Sequence, residues 1–296
     1  MKQFLIIAAL VLPFCTSLQA QNYYPDEEVA NEALNRTLAI QTFNSDGEYG
    51  ESLSKAFKDI FTKEWKLSDV EFMTAKEMEA AKTNKSSDYV FLSHSAMSLE
   101  IIERNLKALD RTVFTFSFFN FSLDLYDTKR PTNVTEIGFA NEELTKIDFL
   151  YLCQQLHLLL KNSADGVASS DFYNIDENIE DLQKSTLLMP EQFFREKDIA
   201  KMDSYYENKY EILNPEKFEE AVLNKADDTC YIKIIWSNQH NAYTWITVDA
   251  ADGSIRSLMS FGGVKFGRNH DANDIIKAKQ LSNILKKFPQ KVNSKY

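Results

Sequence analysis

The chain has 296 residues, 44% of them hydrophobic, and a formal net charge of −11 at pH 7. This composition excludes a disordered chain and provides apolar material for one large domain or two of ordinary size. So acidic a chain repels nucleic acid and anionic lipid, and we therefore expect no nucleic-acid partner.

The amino terminus has the features of a secretory signal peptide. A lysine precedes the unbroken apolar run Phe4–Leu12, and Ala20 is a small residue at the expected cleavage point. The apolar run is too short to span a membrane, which takes about 20 residues. We therefore predict a signal peptide over residues 1–20 and a secreted or periplasmic protein with no transmembrane segment after its removal. Lipidation at Cys15 is the alternative, although the two residues before this cysteine are not small.

Residues 21–35 form a polar lead-in, and we predict a first α/β unit over residues 36–161. Its clearest element is an amphipathic helix, because apolar residues such as Phe57 and Phe61 recur on one face at helical spacing. The predicted elements, in order, are strand Leu38–Phe43, helix Glu51–Trp65, strand Val70–Met73, helix Ala75–Thr83 and strand Tyr89–Leu92.

The segment Ser98–Arg111 allows two interpretations. Leu99, Ile102 and Leu106 recur at helical spacing and favour a helix, while a long β-hairpin is the alternative. The predicted strand Thr112–Tyr126, with its alternating phenylalanines, follows this segment. The segment has no counterpart in the second half of the chain, where residues 237–241 make a tight turn. Because such an insertion is often where function is found, we take Leu99, Ile102 and Leu106 as candidate contacts for a partner or ligand.

An apolar helix, Ile147–Leu160, is predicted to close the first unit, and we expect His157 on it to be a core or interface residue. Residues 162–184 are polar and acidic, which predicts a linker. Cys153 lies in the apolar helix and Cys230 in a later apolar strand. We expect both cysteines to be buried thiols, with a disulfide between them as the less favoured alternative.

The second unit, residues 185–296, repeats the order of the first. Glu71–Leu92 aligns without a gap with Glu211–Ile232, with six identities in 22 positions and the same apolar pattern. Thr74 and Asn214 are good helix N-caps at equivalent positions. We therefore predict an α/β (α+β) fold of two tandem copies of a small mixed-sheet unit, roughly β-α-β-α-β-β-α each. The further predicted elements are strand Thr186–Met189, helix Gln192–Tyr206, strand Tyr210–Leu213, helix Pro215–Leu223, strand Cys230–Trp236 and a hairpin of Ala242–Val248 with Ser254–Phe261.

Two short segments carry a resemblance to envelope domains. An acidic residue leads an apolar strand in Asp88-Tyr-Val-Phe-Leu92, and a strand ends in an aspartate-containing turn before glycine in Val248-Asp249-Ala-Ala-Asp252-Gly253-Ser-Ile255. With the element order, these segments resemble the amino-terminal domain of TolB and curli-secretion-channel-like α/β domains. Ser93-His94 stand where that group has a glycine, so the resemblance implies a fold and no activity. The Gln-Ala-Gln junction at residues 19–21 is similar to that of exported proteins of Bacteroidetes-type bacteria.

A final helix is predicted to close the second unit around residues 280–286, and a glycine-rich loop before it provides weak candidates for ligand contacts. Such a loop can hold an anion at a helix N-terminus, but the Lys-Ser/Thr pair of a phosphate loop is missing after its last glycine. The four histidines have no metal-ligand spacing, and no nucleophile elbow occurs. We therefore predict no catalytic residue, no metal site and no cofactor. The candidate contacts are Gly262, Gly263, Gly267, Arg268 and His270.

The leading functional hypothesis is a non-enzymatic exported or periplasmic protein that binds an envelope partner or a small ligand. A secreted enzyme, either a hydrolase or a transferase with an unrecognised site, is the first alternative. A structural subunit of a surface assembly is the second. Perturbed carboxylates clustered in one deep pocket would favour the enzyme. A cleft between the two units with few polar anchors would favour small-ligand binding.

Overall fold

One mixed sheet of ten strands carries the fold in the computed structural model, which describes residues 24–43, 48–84, 86–103, 111–127, 131–140, 143–172, 178–237, 242–260 and 276–282. The first elements are α1 Glu27–Leu34, β1 Thr37–Gln41, α2 Glu48–Glu64, β2 Val70–Met73, α3 Ala75–Asn84, β3 Tyr89–Glu103, β4 Arg111–Leu125, β5 Thr132–Phe139 and α4 Lys146–Ala164. The later elements are α5 Ser169–Phe172, α6 Ile179–Lys184, β6 Thr186–Pro190, α7 Glu196–Ile199, β7 Tyr210–Leu213, α8 Pro215–Leu223, β8 Thr229–Ser237, β9 Ala242–Asp249, β10 Ile255–Ser260 and α9 Ala278–Leu281.

The strands form two groups with the same pairing, which we call the first half (β1 to β5) and the second half (β6 to β10). In the first half, β1 lies between β2 and β3 in parallel, and β3, β4 and β5 are antiparallel. In the second half, β6 lies between β7 and β8 in parallel, and β8, β9 and β10 are antiparallel. The predicted mixed α/β class is thus confirmed, while the tandem duplication stays a prediction.

The two halves share one edge of β8. One edge of this strand pairs with β9 along Cys230–Ser237, so its other partners must use the opposite edge. There β6 pairs with Thr229–Tyr231 and β5 pairs through Phe139 with Ile235. Within the described part of the chain, no ladder partner lies on that edge opposite Ile232–Ile234. The sheet therefore has a gap between β5 and β6.

Helix α4 lies in the core between the halves. It packs against α1 and α2 of the first half and against α8 of the second, and residues on all its sides are buried. Its Gln154 and Gln155 side chains donate hydrogen bonds to carbonyl oxygens of the β9–β10 turn, 3.2 Å to Ala250 and 2.6 Å to Gly253. A helix that is apolar on all sides is typical of a protein interior.

Two smaller apolar clusters lie on the other face of the sheet. The second-half cluster is built around Trp245, Met202 and Tyr206. The first-half cluster is built around Met78 and Phe91, beneath α3. Helices therefore cover both faces of the sheet, as expected for an α/β layer architecture.

In the segment that favoured a helix, the described residues, Ser98–Glu103 and Arg111, instead lie in paired strands. β3 runs to Glu103 and β4 begins at Arg111, and the register pairs Leu99 with Phe116 and Ile102 with Thr112. The helix prediction was wrong because the β-branched pair at 101–102 and the alternating phenylalanines of β4 favour extended chain over the helical spacing.

Segments predicted as a lead-in and a linker contain helices. α1 lies in the lead-in and buries Ala30 and Ala33, and α6 lies in the acidic segment and buries Ile179 and Leu182. Both helices are short, with eight residues in α1 and six in α6, so each offers only about two turns of pattern to the sequence. Cys153 and Cys230 are buried free thiols, and their burial confirms that prediction.

Candidate functional site

A cavity of about 170 Å³ lies at the gap in the edge of β8. Its walls come from the start of α4, the turn after β6, the first residues of α8 and the Tyr231–Ile234 stretch of β8. Ile147 and Phe218 are buried walls, whereas Gln192 and Pro215 are exposed and stand at the mouth. The cavity therefore lies where the halves meet, beside the carboxyl ends of the parallel strands β6 and β7, a common place for ligands in α/β sheets.

A capping box fixes the α4 side of the cavity. The Thr145 side chain accepts a hydrogen bond from the Asp148 backbone N–H at 3.3 Å. In return, one Asp148 carboxylate oxygen accepts from the Thr145 N–H and the Thr145 hydroxyl, both at 2.7 Å. The Thr-x-x-Asp sequence supplies both partners, so local sequence alone holds this carboxylate at the first turn of α4.

Asp148 and Lys233 form a buried ion pair beside the cavity. The Asp148 side chain is 2% exposed and the Lys233 side chain 6% exposed. The Lys233 ammonium also lies 5.0 Å from the ring centroids of both Phe139 and Tyr151, a distance at which a cation is attracted to an aromatic face. The ammonium is therefore enclosed by one carboxylate and two rings.

Tyr231 adjoins the cavity, but its hydroxyl is buried out of contact with the open space. Its side chain has no exposed area, and its hydroxyl has no hydrogen-bond partner among the described residues. Burial raises the pKa of Tyr231 well above its ordinary value, and the neighbouring Tyr151 and Asp148 raise it further. The hydroxyl is therefore protonated at neutral pH and can donate a hydrogen bond.

The remaining ionic groups of the cavity are also paired. Glu219 accepts from the Lys146 ammonium at 2.7 Å, and both Asp148 oxygens are held by Thr145 and Lys233. The Asp148 carboxylate, which accepts three hydrogen bonds, is therefore poorly placed to take a proton.

Two histidines lie within the described residues, outside the cavity lining. The His94 ring stacks on Phe43 with centroids 4.2 Å apart, and burial lowers the pKa of His94. Burial, aided by Lys161, also lowers the pKa of His157 on α4. Across the ranges that the structure describes, no group of three side chains could hold a metal ion.

The predicted contact residues are not part of this cavity lining. Leu99 and Ile102 lie in β3, in the part that pairs with β4. Leu106 lies outside the described residues, as do Gly262, Gly263, Gly267, Arg268 and His270.

Sequence reasoning missed Asp148, Tyr231 and Lys233. The available signal was Lys233, a charged residue within an apolar strand, together with Asp148, an opposite charge within an apolar helix. A buried charge is normally paired, so two such residues of opposite sign are candidates for each other.

No family model, curated protein or solved structure matches the chain. Within the described residues, none of the helices has the length and apolar character needed to cross a membrane. The interpretation of the site therefore depends on its own geometry.

Proposed function

We propose that the protein is a non-enzymatic exported or periplasmic binding protein that takes up a small ligand in the cavity between its two halves. The observation that carries this proposal is the cavity at the gap in β8, whose accessible lining is mostly apolar with a few polar side chains at its edges. Mostly apolar walls with a few polar anchors are typical of small-molecule sites. The predicted signal peptide supports export.

The size of the cavity limits the ligand. An engineered cavity of about 150 Å³ binds one benzene molecule, whereas drug-sized ligands need about 300 Å³ or more. A cavity of about 170 Å³ therefore suits a molecule with roughly one ring or a short branched chain.

The pairing of the cavity's ionic groups favours this function over a secreted enzyme. Asp148 is fixed by three hydrogen bonds from Thr145 and Lys233, and Glu219 is paired with Lys146. The Asp148 carboxylate is therefore not poised as a general base.

A second candidate function is contact with an envelope partner protein through the β3–β4 arm, which we define as residues 93–103 and 111–118. Among the described residues, β1 pairs with β3 only through Leu92, and β5 pairs with β4 only from Phe119. The arm is thus two-stranded, and an isolated two-stranded hairpin is only marginally stable in water. Its register pairs apolar residue types, such as Leu99 with Phe116. A cross-linking pull-down tests this function. The full chain should capture one partner protein, and the variant that lacks residues 98–111 should not.

The cavity function is tested by blocking its mouth. Gln192→Trp places a bulky ring at an exposed lining position, and Glu191→Trp is the matched control at an exposed neighbour outside the lining. The mature chain from Gln21 is incubated with a small-molecule extract of its source cells, and the retained compounds are identified by native mass spectrometry. The wild type and the Glu191→Trp protein should retain the same compound, and Gln192→Trp should lose it. Retention of nothing by the wild type, or equal retention by Gln192→Trp, contradicts the proposal.

A further inference from the structure

We infer that the ligand of this cavity is a small amine, whose ammonium group pairs with the Glu219 carboxylate while its apolar part lies inside the cavity. This inference rests on the proposed function and adds the chemical class of the ligand.

Glu219 is a charged residue of the cavity lining that solvent reaches. Its side chain is 31% exposed, whereas the side chains of the Asp148–Lys233 pair are 2% and 6% exposed. Phe218, its neighbour on α8, is a buried wall of the same cavity. Glu219 therefore lies where the cavity meets solvent, and a ligand can reach this side chain without disturbing the buried ion pair.

One oxygen of the Glu219 carboxylate is open to a further partner. Oε1 accepts a hydrogen bond from the Lys146 ammonium at 2.7 Å, and within the described part of the chain Oε2 makes no hydrogen bond or ion pair. A carboxylate offers about four lone-pair sites to donors. The Lys146 side chain is 51% exposed, and an exposed ion pair contributes little to stability. A ligand ammonium can therefore bind Oε2 and compete with Lys146 for the charge of Glu219.

The charges of the lining favour a cationic ligand. Asp148 and Lys233 compensate each other, so Glu219 supplies the remaining charge among the described residues that line the cavity. Lys146 lies outside this lining, and its long side chain can turn to water. The chain as a whole carries a net charge of −11, which also attracts cations and repels anions.

The two helices that begin beside the cavity offer little to an anionic ligand. At the start of α4, the Thr145 side chain accepts from the Asp148 N–H, and the Asp148 carboxylate brings its own negative charge. At the start of α8, the Asn214 side chain accepts from the Lys217 N–H, and Pro215 has no N–H to donate. Because these helix starts are capped, the positive helix ends do not outweigh the charge of Glu219.

The apolar part of the ligand is small. Ile147, Phe193, Pro215 and Phe218 supply apolar walls. The cavity volume of about 170 Å³ is close to that of a cavity that accepts a single benzene ring. Benzylammonium combines one ring with an ammonium group one carbon away, and it is therefore a suitable probe.

The test compares four probes on the mature chain by isothermal titration calorimetry and ligand-observed NMR. Benzylammonium carries a positive charge, benzoate a negative charge, benzyl alcohol a neutral polar group, and toluene no polar group. Benzylammonium should bind about fivefold more tightly than benzyl alcohol, the effect of one partly exposed ion pair, and more tightly still than benzoate. High salt should weaken the binding of benzylammonium but not that of toluene.

Three variants locate the charge that the ammonium group recognises. Glu219→Gln removes the charge and keeps the shape, and it should weaken benzylammonium about fivefold while leaving toluene unchanged. Glu220→Gln, at the next residue of α8, is exposed and outside the lining, and it should change neither affinity. Lys146→Met removes the competing cation and should tighten the binding of benzylammonium. Thermal melting of each variant provides the folding control, because the Lys146–Glu219 pair is too exposed to be needed for folding.

The outcomes separate this inference from the proposed function. If benzylammonium binds no more tightly than benzyl alcohol, or if Glu219→Gln and Glu220→Gln have the same effect, the amine inference is overturned. Tighter binding of benzoate than of benzylammonium also overturns it. Toluene binding that Gln192→Trp abolishes keeps the cavity function intact in these cases. If none of the four probes binds the wild-type chain, the cavity function itself is overturned.

Discussion

Replacing Lys233 with methionine tests the buried ion pair that stands beside the cavity. Methionine keeps the chain length and apolar stem but removes the charge, which leaves the Asp148 carboxylate in a site where its side chain is 2% exposed. Breaking a buried pair by removing one partner costs about 3–5 kcal/mol. The two aromatic rings at 5.0 Å from the ammonium also lose their cation. We therefore expect the free energy of unfolding to fall by about 3–5 kcal/mol.

A double-mutant cycle separates two contributions to the loss of stability, namely the unpaired Asp148 charge and the lost packing of the Lys233 side chain. Asp148→Asn removes the negative charge and keeps an oxygen that can accept from the Thr145 N–H. Adding Asp148→Asn to Lys233→Met should raise the free energy of unfolding by about 2 kcal/mol or more, because no unpaired charge is then buried. Lys146→Met is the control, because Lys146 and Glu219 form a pair that is 51% and 31% exposed. Exposed pairs contribute about 0–1 kcal/mol.

The assay is urea unfolding at pH 7, followed by circular dichroism and tryptophan fluorescence, with the m-values compared between variants. A loss below about 1 kcal/mol for Lys233→Met, equal to that of Lys146→Met, would refute the reasoning. An additive cycle, with no recovery on adding Asp148→Asn, would also show that the charges do not interact.

Three further predictions concern the turn, the cap and pH. Gly253→Ala should lower the free energy of unfolding by about 2–4 kcal/mol, because φ is +83° and the new Cβ would overlap Gln154, with its Cδ only 3.0 Å away. Thr145→Ala should cost about 1–2 kcal/mol in thermal or urea unfolding, because it removes the cap of α4 and two hydrogen bonds to Asp148. His94→Phe should reduce the loss of stability between about pH 7.5 and 5.5. The folded pKa of His94 lies below its ordinary value of 6.5, so its contribution is complete above that pH and is lost as pH falls toward the folded pKa.

Each of these predictions has an internal comparison. Gly166→Ala also has positive φ, +75°, but its Cβ would meet nothing closer than 3.8 Å, so it should cost only about 1 kcal/mol. Equal losses at both glycines would argue against the overlap with Gln154. Thr74 has a similar capping box on exposed α3, and Thr74→Ala should cost less than Thr145→Ala. If the wild type and His94→Phe show the same dependence of stability on pH, His94 does not contribute to it. His157 is then the other described histidine that could.

Local signals predicted several elements with their boundaries. Strand Val70–Met73, strand Tyr210–Leu213 and helix Pro215–Leu223 were predicted over the ranges that the structure gives. Alternation of apolar residues and an N-cap before each helix are contained within a few residues of sequence, and such signals act independently of the rest of the fold. The hairpin of β3 and β4 was not favoured, because the helical spacing of Leu99, Ile102 and Leu106 was given more weight than the β-branched pair at 101–102 and the alternating phenylalanines of β4.

The candidate site depends on contacts that are distant in the sequence. Asp148 and Lys233 are 85 residues apart, and the gap in the sheet exists only because β5 and β6 pair with the same edge of β8. The residue types indicated buried charges, but their juxtaposition follows from strand pairing between the two halves. The hydroxyl of Tyr231 likewise looks like an ordinary core tyrosine until its surroundings are known.

The most direct measurement of ligand binding is a crystal structure of the mature chain soaked with toluene. The proposal predicts electron density for one ring in the cavity between Phe218 and β8. A cavity filled by the protein's own side chains, or one that holds only water after the soak, would contradict it.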